Sequence, residues 1–587
     1  AGMGKTRLIE QFVTWAATQG ADVLVGRAYE SGIGLPYQPL IQLLRQRIER
    51  ENAPEDLLSD LWLSQLTRLL PELRERYPDL PPPTQEENSG RQHLFKAIAR
   101  LGQALAAHRP VVLFIDDWHW ADSGSLDVLQ YVAQRWVEEN VPILLLLTLR
   151  QDALNDLPDL QNWLVQFKRI ESVQQLALNA LSPEETTGLI ELLFSLKAAT
   201  AEGQSTLTEF SDWLFDETAG QPLFLTEALK ILARDGVIRP EQTKWQLDWP
   251  RFDRSNASSN FLKGVLDIIQ GWLIRISTPA AELLRATAVL VQDATFDNLA
   301  VVAGLDEGQA LSALDELLKY QLLLEAEEAQ AWPSNPIYSY SHHKVSEAVY
   351  AEAGKARRRM LHRRAFEALQ TQAVPSSTLA GHALNAGLLP EGVRYSLISG
   401  NEAMDLFAVR VAIIHYETVW EVAEPNRWPE DVSGADRQAL YTGLGRAYEL
   451  SESWAKAEKI YRAMITYARS IPAPAMECLG LNLLATVQTN GMGDREQALA
   501  ILEQARSVAK ENGDKLGLAE TELSLSRALA FGNDSVGGLG HVKKALGMAR
   551  NLEHPDLLAR SLSVHAMIDI QLRRWPLAAA HANEASR

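Results

Sequence analysis

The chain is 587 residues long, and at about 150 residues per domain this length predicts about four domains. Its composition, 46% hydrophobic and 22% charged, is that of a folded globular protein and excludes wholesale disorder and collagen-like repeats. The net charge of −19 argues against a nucleic-acid-binding surface in this stretch. The single Cys478 excludes internal disulfides and favours the cytoplasm. Because the longest apolar run, residues 141–149, is too short to cross a bilayer, no membrane contact is expected.

The first 180 residues alternate short apolar runs with amphipathic segments, a pattern that predicts a parallel α/β sheet. The predicted strands are residues 21–28, Val111–Asp116, residues 142–149 and residues 173–178. A helical insert containing residues 57–73 and a proline-rich loop at 77–83 lie between the first two strands.

From Ser182 onward the pattern predicts helices, with one β-hairpin around residues 321–340. Ser182-Pro-Glu-Glu185 combines an N-cap serine, a first-position proline and two acids, which is typical of a helix start. The polar stretch at 243–259 is the predicted linker, and after about Tyr350 only helices are expected.

The last 150 residues contain a predicted repeat, because small residues recur at Gly445, Ala485, Ser526 and Ala566, in steps of 40, 41 and 40. Each repeat places a second small residue further on, at Ala457, Ala498, Gly538 and Ala578. Small residues at such offsets allow two antiparallel helices to cross closely. The pattern resembles tetratricopeptide repeats with a longer period, and an irregular helical bundle is the alternative.

The chain opens on Ala1-Gly-Met-Gly-Lys-Thr6, the second half of a phosphate-binding P-loop. Backbone N–H groups of such a loop surround phosphate oxygens, the lysine reaches the β- and γ-phosphates, and the threonine hydroxyl binds Mg²⁺. The predicted nucleotide-binding residues here are Gly2, Met3, Gly4, Lys5, Thr6 and Arg7. The chain is therefore expected to be a fragment whose sheet lacks the strand leading into the loop. Val111–Asp116 and residues 142–149 are expected to be the neighbours that lose a ladder partner.

Two acids follow the apolar run that begins at Val111, as in a buried strand that delivers carboxylates at its carboxyl end. Asp116 is predicted to hold Mg²⁺ through water, and Asp117 to orient or deprotonate the attacking water. The alternative is that these acids only cap the next helix, as Asp122 is expected to do. Arg150 follows the next strand, where it could sense a γ-phosphate, and a surface arginine paired with an aspartate is its alternative.

Four segments together resemble signal-transduction ATPases with numerous domains, the STAND class, and most closely the bacterial branch whose ATPase module resembles origin-recognition AAA+ domains. These segments are Phe114-Ile-Asp-Asp-Trp-His-Trp-Ala-Asp122, Leu147-Thr-Leu-Arg150, Ala219-Gly-Gln-Pro-Leu-Phe-Leu225 and Tyr340-Ser-His-His-Lys-Val-Ser-Glu-Ala-Val-Tyr350. Two of them depart from the family pattern, since Trp118 replaces the usual leucine and His343 the usual aspartate.

The resemblance implies a multidomain fold. The implied domains are a P-loop, AAA+-like α/β core at 1–180, a helical lid at 181–250, a winged-helix domain at 260–350, a helical linker at 351–435 and a tetratricopeptide-like superhelix at 436–587. It also implies that Pro222 packs on the adenine and that His342 approaches the β-phosphate of ADP. A helix-start proline and a surface histidine are the respective alternatives.

The function that this resemblance implies is an ATP/ADP switch with slow, Mg²⁺-dependent hydrolysis in a bacterial, transcriptional regulator. An inducer ligand or protein would bind the repeats, the ATP-bound form would self-associate, and DNA would be contacted only through a domain outside this chain. The basic stretch at residues 355–364 is expected to face acidic neighbours or water. The alternatives are the sensor part of a nucleotide cyclase or protein kinase, and a nucleotide-binding scaffold without meaningful hydrolysis.

Overall fold

The computed structural model describes most of the chain and divides it into two compact units, Ala1–Leu388 and Leu389–Arg587. The described residues are 3–29, 36–50, 58–83, 87–150, 154, 157–170, 172–194, 201–234, 236–241, 244–247, 276–320, 322–326, 336–340, 343–422 and 432–586.

The first unit begins with a parallel three-stranded sheet of β1 (Asp22–Arg27), β2 (Val111–Asp116) and β3 (Ile143–Leu147), in the order β1-β2-β3. The register pairs Asp22 with Val111 and Val111 with Ile143. All six residues of β2 are buried, as expected of a central parallel strand with both faces covered. The predicted α/β core is therefore confirmed.

Two predictions about strands are wrong. Val111–Asp116 does not lack a ladder partner, because β1 and β3 pair with its two edges; β3 has a single partner among the described residues. Residues 173–178 are not a strand: they have no ladder partner among the described residues, and the Leu176 side chain is 79% exposed. An apolar segment forms a strand only where a neighbour supplies hydrogen bonds and a buried face.

Helices surround this sheet, and the helical insert and the loop at 77–83 are confirmed. The helices of this part are α1 (Lys5–Thr18), α2 (Gln38–Arg50), α3 (Asp60–Leu66), α4 (Glu72–Arg76), α5 (Glu87–Ala106), α6 (Ser123–Glu138) and α7 (Pro158–Phe167). Asp122 caps α6 as predicted, since its Oδ1 accepts the Ser125 N–H at 3.0 Å.

The next helices are α8 (Pro183–Leu193), α9 (Ala201–Thr218) and α10 (Pro222–Arg234). The predicted start at Ser182 is confirmed as a capping box, in which Ser182 Oγ accepts the Glu185 N–H at 3.2 Å and Glu185 accepts the Ser182 N–H at 2.8 Å. The sequence analysis missed an antiparallel hairpin of β4 (Ile238–Glu241) and β5 (Lys244–Leu247). Because β5 falls within the predicted linker at 243–259, that part of the linker prediction is wrong; the remainder, from residue 248, lies outside the described residues.

A group of three helices and a hairpin follows. It consists of α11 (Thr278–Leu290), α12 (Phe296–Ala303), α13 (Glu307–Lys319), β6 (Leu323–Ala326) and β7 (Ile337–Tyr340). The two strands pair antiparallel, which confirms the predicted hairpin. The first unit ends with α14 (His343–Glu352), α15 (Lys355–Leu369) and α16 (Ser376–Ala386).

The second unit is helical throughout its described residues. Its helices are α17 (Leu389–Asp405), α18 (Val409–Val422), α19 (Gly434–Leu450), α20 (Trp454–Ser470), α21 (Pro474–Val487), α22 (Arg495–Glu511), α23 (Lys515–Phe531), α24 (Ser535–Asn551), α25 (Pro555–Gln571) and α26 (Trp575–Ala585). The predicted small residues alternate between the two helices of each pair and are buried. A Cβ at Gly445 would lie 2.2 Å from Tyr461 Cε1, so that close crossing requires glycine. The tetratricopeptide-like repeat is confirmed.

Among the described residues, we find no helix that combines the length and the apolar character needed to cross a membrane.

Candidate nucleotide-binding site

The predicted P-loop residues continue directly into α1. Gly4 precedes the helix with a left-handed backbone (φ +80°), a conformation that glycine adopts without strain. Lys5 and Thr6 are the first helical residues, and both are half-buried. The first backbone N–H groups of a helix lack partners within that helix and carry its positive dipole end. This end of α1 is therefore suited to phosphate oxygens.

Asp116 ends β2, and the fold brings it to Thr6 across 110 residues of sequence. Thr6 Oγ1 donates to the Asp116 carboxylate and lies 3.1 Å from both of its oxygens. Thr148, which follows β3, donates its hydroxyl to Asp116 Oδ1 at 2.5 Å. Hydroxyl and carboxylate oxygens are the ligands that Mg²⁺ prefers. Thr6 and Asp116 therefore fit the magnesium ion that the sequence predicts.

Asp117 occupies the first position after β2 in a left-handed conformation, with φ 53° and ψ 38°. This region is unusual for a residue other than glycine, although aspartate is enriched in it. The Asp117 N–H donates to Thr148 Oγ1 at 2.7 Å. Thr148 thus contacts both adjacent acids, since its hydroxyl donates to the Asp116 carboxylate and accepts the Asp117 N–H.

The sequence analysis missed Arg27, which lies beside both acids. It ends β1 in register with Asp116, and its NH2 group lies 3.1 Å from Asp117 Oδ2. Burial lowers the pKa of Arg27, but the charges of Asp116 and Asp117 outweigh burial and the pKa lies above its ordinary value. The carboxyl ends of parallel strands meet at one edge of a sheet, so a charged residue next to the end of the first predicted strand was the available signal.

Arg150 is buried, with 8% of its surface exposed, so it is not a surface arginine, although it does lie near an aspartate as its alternative predicts. Its Nε lies 4.0 Å from Asp117 Oδ1, and its NH1 lies 3.5 Å from Glu347 Oε1 on α14. The edge of the sheet thus carries two arginines, Arg27 and Arg150, on either side of the Asp117 carboxylate.

The remaining predicted binding residues differ in their surroundings. Pro222 is the first residue of α10 and half-buried, which is the position that its alternative predicts; contact with adenine stays a prediction. Arg7 is exposed and lies 3.6 Å from Glu10, and Met3 is half-buried next to Gly4. Gly2 and His342 lie outside the described residues.

Comparison with known proteins places the motifs in a family. Residues 1–147 match the family model of the AAA ATPase domain. A protein of Rhizobium meliloti (strain 1021), described only as uncharacterized, is 23% identical over 435 residues, which is 69% of this chain; the chain spans 38% of that relative's length.

Solved structures resemble the chain at lower sequence identity. A STAND protein with a tetratricopeptide repeat sensor from Pyrococcus horikoshii is 17% identical, with a TM-score of 0.39, over 100% of this chain and 79% of that one. Aspartyl phosphate phosphatase F from Bacillus subtilis is 12% identical, with a TM-score of 0.28, over 71% of this chain and 96% of that one. Likenesses of this degree do not define the function of the chain. Residues 1–147 are therefore similar to the AAA ATPase domain, and a helical, repeat-rich part follows them.

Proposed function

We propose that this chain is the nucleotide-dependent switch of a STAND-type regulator, which binds ATP and ADP with Mg²⁺ and hydrolyses ATP slowly. The observation that carries the proposal is the convergence of Thr6, Asp116 and Thr148 beside the N-terminus of α1. Three distant segments place oxygen ligands where a P-loop sequence places a nucleotide. A purely structural acid pair would not need the threonine that follows the P-loop lysine.

In the proposed site, positively charged groups bind the phosphates, and oxygen ligands bind Mg²⁺. Lys5, at the start of α1, supplies a positive charge to the β- and γ-phosphates, together with the backbone N–H groups of the first turn. Mg²⁺, when bound at Thr6 and Asp116, would neutralise charge on the phosphate oxygens. Thr148 holds Asp116 in place through its hydroxyl. The carboxylate is thus positioned before the nucleotide arrives.

Asp117 is the residue proposed to act on the attacking water. Its carboxylate would accept a hydrogen bond from the water and orient the water oxygen toward the γ-phosphorus, giving ADP and phosphate. Arg27 restrains this carboxylate through the 3.1 Å ion pair. Arg150 supplies a second positive charge beside the site and is the proposed γ-phosphate sensor.

The proposed switch couples this site to the helices behind it. Arg150 contacts Glu347 on α14, which follows the three helices and hairpin proposed to be a winged helix. ADP would favour the closed arrangement, and an inducer at the repeats would favour ATP and self-association with a second copy. Such a shift requires that each ligand bind the two states unequally. Transcription control through DNA would need a domain outside this chain, and a cyclase or kinase output is the alternative.

Nucleotide binding by the full-length protein tests the proposal. Lys5→Ala and Thr6→Ala should each weaken binding of a fluorescent ATP analogue at least about tenfold, because each removes a charge-assisted or metal contact. Lys168→Ala, at an exposed lysine after α7, is the matched control and should bind as the wild type does. Equal affinity in all three variants would refute the phosphate site.

A further inference from the structure

Two histidines and an aspartate meet between the helices α25 and α26, far along the sequence from the nucleotide site. Asp569 and His565 lie one turn apart on α25, and His581 reaches them from α26. His581 Nδ1 lies 3.0 Å from Asp569 Oδ2, and His565 Nε2 lies 3.9 Å from the same oxygen. The three candidate ligand atoms all lie within 4.8 Å of one another.

Burial makes this cluster costly without a further partner. Asp569 is 1% exposed, and its Oδ1 makes no hydrogen bond within the described part of the chain. The nearest cation to Oδ1 is Arg574 NH1, at 3.9 Å. Buried polar atoms are almost always satisfied, and an ion is one of the partners that satisfies them.

The ligand types select the class of ion. Imidazole nitrogens suit Zn²⁺ and similar transition metals, whereas Mg²⁺ and Ca²⁺ prefer oxygen alone. In a tetrahedral zinc site the ligand atoms lie about 2.0–2.2 Å from the metal. The rings of His565 and His581 are stacked, with centroids 4.0 Å apart, so they must turn to direct one nitrogen each at a shared ion. Two histidines and one carboxylate leave one tetrahedral position open.

We propose that His565, Asp569 and His581 bind one Zn²⁺ or a similar divalent transition-metal ion between α25 and α26. The site is independent of the proposed nucleotide site. A metal bound there would join α25 to α26.

Zinc binding by the full-length, chelator-treated protein tests the site. One equivalent of Zn²⁺ should compete with a chromophoric chelator, and Co²⁺ should give the visible absorption typical of a tetrahedral site. His581→Gln and Asp569→Asn should each weaken Zn²⁺ binding at least about tenfold. Zn²⁺ should also raise the melting temperature of the wild type, because a ligand that binds only the folded state stabilises it.

Two control variants distinguish this site from metal binding elsewhere on the chain. His541→Gln alters a histidine paired with Glu522 at 2.7 Å, 40 residues before His581, and should bind Zn²⁺ as the wild type does. Lys5→Ala should also leave Zn²⁺ binding unchanged, so failure of the nucleotide site would not affect this result. A wild type without micromolar Zn²⁺ affinity, or a His581→Gln variant with undiminished affinity and intact circular dichroism, would overturn the proposal.

Discussion

Arg150 and Glu347 form an ion pair that joins the nucleotide-site edge of the sheet to α14, with NH1 and Oε1 3.5 Å apart. The residues are separated by 197 positions in sequence. Arg150 also lies 4.0 Å from Asp117, so in the proposed function one guanidinium would connect the γ-phosphate to α14. We expect the Arg150–Glu347 contact to differ between the ATP-bound and ADP-bound states of the proposed switch.

Glu347→Gln is expected to loosen this contact and release ADP about two- to fivefold faster, the range of a partly exposed ion pair. Stopped-flow displacement of a fluorescent ADP analogue measures the rate. Glu352→Gln serves as the control. Glu352 also lies on α14, and its Oε2 is 3.2 Å from NH2 of Arg285 on α11. Equal release rates in the two variants would contradict a special role for the Arg150 contact.

Asp117→Asn is expected to retain Mg²⁺-ATP binding and to lower turnover at least about tenfold, because the amide keeps the size but loses the charge that orients water. Phosphate release and nucleotide affinity are measured on the same sample. Asp127→Asn, whose carboxylate pairs with Arg91 on the surface, is the matched control. If the wild type itself shows no hydrolysis above background, the scaffold alternative stands instead.

A buried histidine pair predicts acid sensitivity. His362 Nδ1 and His382 Nδ1 lie 2.9 Å apart, one donating and the other accepting. Burial, with a smaller effect of Arg358, lowers the pKa of His362 to about 4. Burial, with a smaller effect of His362, lowers the pKa of His382 to about 3. Both imidazoles are therefore neutral in the folded protein at pH 7.

Lowering the pH is expected to destabilise the folded protein, because the unfolded state takes up more protons. Between the folded pKa and the ordinary value of about 6.5, the unfolded state binds more protons, so stability is complete above pH 6.5 and falls as the pH drops toward 4. Each histidine should cost about 1 kcal/mol of unfolding free energy between pH 7.5 and 5.5, as measured by urea denaturation. His382→Asn should reduce this pH dependence by about that amount, and an undiminished pH dependence in this variant would contradict the assignment to the histidine pair.

Gly445→Ala is expected to destabilise the second unit by about 1–3 kcal/mol, since its Cβ would meet the buried Tyr461 ring and force the α19–α20 crossing apart. Gly540→Ala, within α24, places its Cβ in open space and should be neutral or slightly stabilising. Thermal denaturation of both full-length variants measures the difference. Similar melting temperatures would show that the helices can adjust without loss.

Much of the fold could be predicted because its signals are local. β2 is a run of apolar residues ended by two acids, and the structure reproduces its bounds as Val111–Asp116. The hairpin β6–β7, the capping box at Ser182 and the 40-residue repeat also depend on neighbouring residues or on a fixed period. Such patterns specify secondary structure before any distant contact forms.

The errors occurred where distant segments decide the outcome. Residues 173–178 have the composition of a strand, but no described neighbour pairs with them. Conversely, β5 lies in a stretch with the composition of a polar linker, although Trp245 pairs with Pro240 in a two-stranded ladder. Strand formation depends on the partner and the buried face, which a local segment does not encode.

The sequence by itself determined the residue types of the proposed nucleotide site: Lys5 and Thr6 after the glycines, Asp116 and Asp117 at the end of β2, and Arg150 after β3. Only the tertiary structure decided how they are paired. It pairs Arg27 with Asp117 and Arg150 with Glu347 as ion pairs, and it brings the Thr148 hydroxyl within hydrogen-bonding distance of Asp116. A motif specifies residue types at a strand end, whereas the register of the sheet and the packing of α14 determine which charges come within a few ångströms.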